Sequence, residues 1–330
     1  MTTIDAAPTG RATPERRAVE DPPTRVDRIF GFATSGAGVV VFGLLVLIGT
    51  FLVLRANRTF DSQGLDFFTR VEWRTEAGRP AEIGVLGLLA GTVIVALIAV
   101  TIAVPVGCMA ALYITTYAHA RLRGILTSFV DLLAAVPSLL YGIWGFLFLG
   151  NQIVPLSRWL NRHGSWFPPF RTTPEAQLTG SFFIAGVVVS LMVIPIITAV
   201  TREVFAQAPA GEKEAALALG GSQWGMVRRV VLPFGRGGIV GGAMLGLGRA
   251  LGETIAVTLL LSQTPKLSMR ILENGGGTIS GFVAQRAGSD PVTVSGLMAA
   301  GLVLFVLTLL TNLVASTVIA RSRSGAGVDA

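Results

Sequence analysis

Six apolar runs, each long enough to cross a bilayer, constrain this chain more than any other feature. They occupy about residues 34–54, 85–117, 124–149, 181–201, 237–261 and 294–319. A helix needs roughly 20 apolar residues to span about 30 Å of hydrocarbon, and every run reaches that length. Period-two alternation is absent, which argues against a membrane β-barrel. Only 14% of residues are charged and 52% are hydrophobic, whereas a soluble domain carries about 25% charged residues. The expected fold class is an all-α integral membrane protein with six transmembrane helices.

The net charge of +7 does not point to nucleic acid. The basic residues sit between the apolar runs, without the basic stripe or aromatic interleaving that nucleic-acid binders use. A lipid bilayer is the expected partner instead. With the N-terminus inside, fourteen Lys and Arg fall on the inner side and eleven on the outer, a weak bias toward that orientation. The single cysteine, Cys108, lies in the run VPVGCMAAL and reads as a small core residue. His163 has no His or Cys neighbours in sequence, so no metal site is expected. Lys213 and Lys266 are the only lysines, and neither sits in a phosphate-cradling Gly-Lys-Ser or Gly-Lys-Thr sequence. No nucleotide cofactor is therefore assigned to this chain, and no covalent chemistry is expected of it.

Pro105, Pro137 and Pro195 lie inside apolar runs. Membrane helices tolerate such prolines, so each is read as a kink or a helix joint. The fifth run holds GRALGETIAVTLL, which places Arg249 and Glu253 four residues apart in otherwise apolar sequence. On one helix the two would share a face about 6 Å apart along the axis. An intramembrane charge costs at least about 3 kcal/mol and marks a functional site by default. The pair, with Thr254 beside it, is expected in a transport path or gate. A structural ion pair between helices is the alternative. Gly238, Gly242 and Gly246 form a four-residue ladder that would let another helix approach.

Between the fourth and fifth runs lies TREVFAQAPAGEKEAALALGGSQWGMVRRVVLPFGRGG. EKEAALAL is helix-forming, Gly220 and Gly221 stop it, and Ser222 can cap a second helix. Pro233 is expected to break that helix before the next span. The pattern is a helix–Gly–helix knob, and patterning alone leaves open docking on another protein or packing on its own bundle.

This stretch is similar to the loop signature of ATP-binding-cassette importer permeases: Glu-Ala-Ala, Gly, a β-branched residue, and Leu-Pro. Here these are Glu214, Ala215, Ala216, Gly220, Val230, Leu232 and Pro233, with Val230 where the family usually has Ile. The resemblance implies a cytoplasmic coupling loop that seats on a separate ATPase, and a core of the type I (MetI-like) kind. RALGETIAV, residues 249–257, further resembles the permease subunits of phosphate importers, in the Ile-Ala-Val ending the C-type (PstC-type) subunit. Residues 88–118 and 131–145 resemble that subunit's next core spans. Thr115–Tyr117 departs from relatives that carry an acidic residue there.

The implied machine has a second, homologous permease (PstA-type), two ATPase subunits (PstB-type) that bind the ATP and Mg, and an extracytoplasmic phosphate-binding protein (PstS-type). Inorganic phosphate is its implied cargo. Another oxyanion, molybdate or sulfate, and a proton-coupled secondary transporter are the competing readings. The implied organisation is a disordered cytoplasmic tail over 1–32, a first transmembrane helix with its outer loop over 33–84, and a permease core over 85–320. That core includes the coupling loop 202–236, and a cytoplasmic tail follows over 321–330. The expected location is the plasma (inner) membrane with both termini cytoplasmic.

Overall fold

The computed structural model describes residues 24–75, 81–288 and 290–323, with side chains through 317. Most of the tail expected over 1–32 lies outside the described residues, as does the end of the tail expected over 321–330. Among the described residues, six helices are long and apolar enough to cross a membrane. The only strands among the described residues are a two-residue antiparallel pair, β1 (Trp73–Arg74) and β2 (Glu82–Ile83).

The first helix, α1, runs Arg25–Gln63, so it starts ahead of residue 33 and continues into the expected outer loop. The chain divides into two compact units between Ile48 and Gly49. Before that point α1 displays exposed Val39, Val40, Val41, Phe42 and Leu47, an apolar surface suited to lipid or to a partner helix. After α2 (Asp66–Thr69) and the small hairpin comes α3 (Leu86–Leu112), which ends in a π-helical turn, Tyr113–Tyr117. The helix passes through Pro105 without a break.

The third apolar run does not cross as one helix. It is divided between α4 (Ala120–Ala135) and a crossing formed by α5 (Ser138–Trp144), a π turn at Gly145–Leu149, and α6 (Gly150–Gly164). Val136 and Pro137 are both extended. The proline ring disfavours helical geometry in the residue before it, and the helix is broken here between α4 and α5. The span consequently runs Ser138–Gly164 rather than over the apolar run 124–149, and continues past the end of that run.

Next come α7 (Phe182–Ala206), capped by Ser181, then α8 (Ala210–Ala218) and α9 (Gln223–Met226). A π turn, Val227–Val231, leads without interruption into α10 (Leu232–Leu251). Pro233 does not break this helix, contrary to the expectation. It sits in the first turn of α10, and the wide turn before it, where Leu232 N–H donates to Val227 O, has already shifted the ladder that proline would interrupt. The chain then forms α11 (Ile255–Leu260), α12 (Ile279–Arg286) and α13 (Pro291–Arg323).

The helix α7 is the most buried span and forms the hub. Its inward residues Val188, Val189, Val193 and Ile197 pack with Ala96, Ala99 and Ala103 of α3 and with Ala250, Leu251 and Val257. Glycines permit this closeness. A Cβ on Gly238 would lie 2.5 Å from Val204, and one on Gly246 would lie 2.6 Å from Val193. The ladder of the fifth run is thus the α10 face laid against α7. A second cluster, with Phe67, Trp73, Ile83, Phe282 and Leu297, joins the hairpin to α12 and α13. Within it, Thr59 donates to Ser295 (2.9 Å), and Ser295 donates to the Arg55 carbonyl (3.0 Å).

Candidate functional site

The helix carrying Arg249 stops before it reaches Glu253. The α10 ladder ends at Leu251, Gly252 follows with φ −89° and ψ 0°, and α11 begins at Ile255. The two charges therefore occupy opposite sides of a break, not one helix face, and no ion pair within 4.0 Å joins them. Each is matched to its own half-helix. Arg249 lies in the last turn of α10, where the backbone dipole favours a cation. Glu253 is only 8% exposed, and its Oε1 accepts from the Ala256 N–H at 3.1 Å, in the first turn of α11. The arrangement is not the shared helix face that the spacing of the two residues suggested.

Arg249 is exposed and makes no hydrogen bond among the described residues. Thr254 is half-buried; its hydroxyl donates to Gly252 O at 3.1 Å and its carbonyl accepts from Thr258 Oγ1 at 2.6 Å. Irregular backbone at membrane depth is tolerated only where protein or a water-filled cavity surrounds it. This break meets that condition through partners the sequence does not advertise. Ser280 Oγ donates to the Glu253 carbonyl at 2.6 Å. Gln263, with φ +49° and 2% exposed, donates to Val257 O at 2.8 Å and accepts from Thr278 N–H at 3.1 Å. Ile279 N–H in turn donates to Thr92 of α3 at 2.9 Å. Sequence reasoning missed this set, because Thr92 and Ile279 are 187 residues apart and nothing local pairs them.

The knob is built as its pattern suggests. Glu214, Ala215 and Ala216 lie on α8, and Gly220 adopts φ +78° after it. Gly220 N–H donates to Leu217 O (3.0 Å) and Gly221 N–H donates to Ala216 O (3.2 Å), closing the end of the helix. Ser222 Oγ accepts from Gly225 N–H at 3.1 Å and caps α9. Met226, Val227 and Val231 pack with Ala111 and Phe205 and anchor the knob to the bundle. The outer side is free: α8 buries no residue, and Leu217, Leu219 and Trp224 are exposed. Packing on its own bundle buries the second half of the knob, while α8 reaches the same cluster through half-buried Ala216. Val230 and Leu232 are half-buried beyond it, and Pro233 is exposed.

Of the remaining expected joints, Pro195 lies inside unbroken α7. Asp131 on α4 pairs with Arg202 of α7 at 3.4 Å, an interhelix contact. His163 stacks on Trp159, and Cys108 is half-buried. Among the described residues no group of three His, Cys, Asp or Glu side chains is placed to hold a metal ion.

A family model described as "Binding-protein-dependent transport system inner membrane component" matches residues 103–324. The chain belongs to this family of ABC transporter permeases. The permease is 39% identical over 300 residues to "Phosphate transport system permease protein PstC 2" of Mycobacterium tuberculosis, covering 90% of this chain and 93% of that one. It is 38% identical over 297 residues to "Phosphate transport system permease protein PstC" of Mycobacterium leprae, covering 89% and 93%. In fold it is similar to a chain of a bacterial ABC transporter involved in import of the acidic polysaccharide alginate, with TM-score 0.57 and 16% identity over 90% of this chain and 97% of that one. The permease is thus a multi-pass membrane subunit of an ABC importer with the MetI-like fold, and works with a separate ATPase and a binding protein. The relatives span nearly its whole length, including both halves of the break and the knob between α7 and α10.

Proposed function

We propose that this permease is the PstC-type subunit of a phosphate importer and lines the route that phosphate takes past the α10–α11 break. The observation that carries the reading is the 39% identity, over nine-tenths of the chain, to a phosphate permease. The geometry supports it in chemical terms. The Arg249 guanidinium is held by no side chain among the described residues and offers several N–H donors to an oxyanion. Glu253 keeps Oε1 on the Ala256 N–H, and Oε2 is left to accept the O–H of hydrogen phosphate. Sulfate has no such proton at neutral pH, so this carboxylate is the proposed source of discrimination.

The knob faces the cytoplasm and seats on the PstB-type ATPase through α8, with Glu214, Ala215 and Ala216 at the contact. Nucleotide-driven closure of two such ATPases moves the knob, and α9 and α10 carry that movement to the break as one unbroken span of 29 residues. A PstA-type permease completes the path, and a PstS-type protein delivers phosphate to the outer loops. Both termini lie in the cytoplasm.

Uptake into vesicles that hold all subunits tests the reading. Phosphate accumulates only with hydrolysable ATP, and a large excess of sulfate or molybdate does not compete. Competition by those anions moves the assignment to another oxyanion. Uptake that persists with an ATPase unable to hydrolyse ATP overturns the coupling.

A further inference from the structure

A cavity of about 630 Å³ lies at the base of the knob, where the π turn 113–117, α4, the last turns of α7, and α8 and α9 meet. Arg123, Arg202 and Lys213 line it, with Thr116 and Thr127. It contains neither Arg249 nor Glu253. We propose that this cavity binds a phosphate-type oxyanion, at a site separate from the transport path.

The state of each cation supports this. Arg123 commits Nε to Ile114 O (3.0 Å) and Nη2 to Thr115 O (2.8 Å), so its guanidinium is fixed at the wall. Arg202 reaches Asp131 with Nη2 at 3.4 Å, a long contact, and its Nη1 is buried with no hydrogen-bond partner. A buried donor left unsatisfied is unfavourable, the more so on a charged group. Lys213 has no ion pair among the described residues. Two carboxylates face this group, Glu203 on the wall and Asp131 on Arg202. Three cations against two anions leave the cavity positive. A tetrahedral oxyanion suits these donors, because its several acceptors can take planar guanidinium N–H groups and threonine hydroxyls together.

The cavity exceeds the size of a bare phosphate ion, so either a hydrated inorganic phosphate or the headgroup of an anionic phospholipid fits it. Either ligand would join Lys213, on α8, to Arg202 and Arg123, on the bundle, and so stiffen the knob. The binding itself does not depend on the transported substrate. Its consequence rests on the proposed function: with the knob cytoplasmic, imported phosphate would act back on the element that drives its import.

Hydrogen exchange of the full complex in nanodiscs, without ATP, tests the site. In discs of zwitterionic phosphatidylcholine, inorganic phosphate at ten times its dissociation constant should slow exchange in 113–117 and 210–218 about tenfold. If phosphatidylglycerol in the disc gives that protection and phosphate does not, the lipid headgroup is the ligand; the reverse assigns the free ion. Either protection must be lost in both Arg202→Gln and Lys213→Gln; the lysine variant leaves the Asp131 contact intact and guards against misfolding of the arginine variant. The proposal is overturned if neither ligand protects these segments, or if protection survives either substitution. Because transport is not measured, failure here leaves the phosphate path untouched, and a failed uptake assay leaves this site untouched.

Discussion

At the residue scale, the two intramembrane charges are reconciled with their surroundings by backbone rather than by each other. Glu253 is both a cap and a charge, and substitutions separate the two roles. Glu253→Gln keeps an acceptor for Ala256 N–H, so thermal unfolding of the purified complex should be nearly unchanged. Phosphate uptake by the same protein should fall at least about tenfold, corresponding to about 1.4 kcal/mol. Glu253→Ala also removes the cap, which is worth about 1 kcal/mol, and should lower the melting temperature as well as uptake. Equal uptake by wild type and Glu253→Gln would remove this carboxylate from the path. Spacing in the sequence identified both residues but placed them on one continuous helix. Gly252 alone does not announce a break, since several other glycines in α10 stay helical.

At the scale of elements, glycine performs two different tasks. On α10 it permits contact: Gly238→Leu forces a side chain into Val204 and should destabilise the complex by about 1–3 kcal/mol in thermal unfolding. Gly43→Leu, in α1, has no atom within 4 Å of the added Cβ and should be near neutral. After α8, glycine permits a conformation. At φ +78° a β-branched residue costs about 1–2 kcal/mol, so Gly220→Val should open the end of α8. The readout is retention of the ATPase through affinity purification, which should fall while the permease remains in the membrane fraction. The ladder and the knob were both legible beforehand, because each is a local pattern. The third span was not: hydropathy is summed along the chain, and it cannot see that Pro137 divides the apolar run 124–149 between α4 and the crossing.

For the whole molecule, five of the six spans bury only a minority of their most apolar stretch, and α7 is the exception. The bundle is therefore organised around one helix, with much of its remaining surface available to lipid or to a second permease. Orientation is testable because Cys108 is the single cysteine. In a Cys108→Ala background, Ser165→Cys, on the far side of the α5–α6 crossing from α4, should react with a membrane-impermeant maleimide in sealed right-side-out vesicles. Ser222→Cys, at the knob, should react only after the membrane is opened. Labelling of the knob from outside would reverse the topology and remove the ATPase contact.

Length and apolarity of the runs sufficed to predict a six-helix membrane chain, since a bilayer core leaves the backbone few alternatives. Short-range spacing likewise sufficed for the knob, its Gly220 turn and its Ser222 cap. The tertiary structure decided where the third crossing begins, that α10 ends between Arg249 and Glu253, and that Gln263, Ser280 and Thr92 hold that break. The physical reason is that a helix end inside a membrane is stable only when distant groups take over its hydrogen bonds. Those partners are brought together by the fold and are not neighbours in the chain.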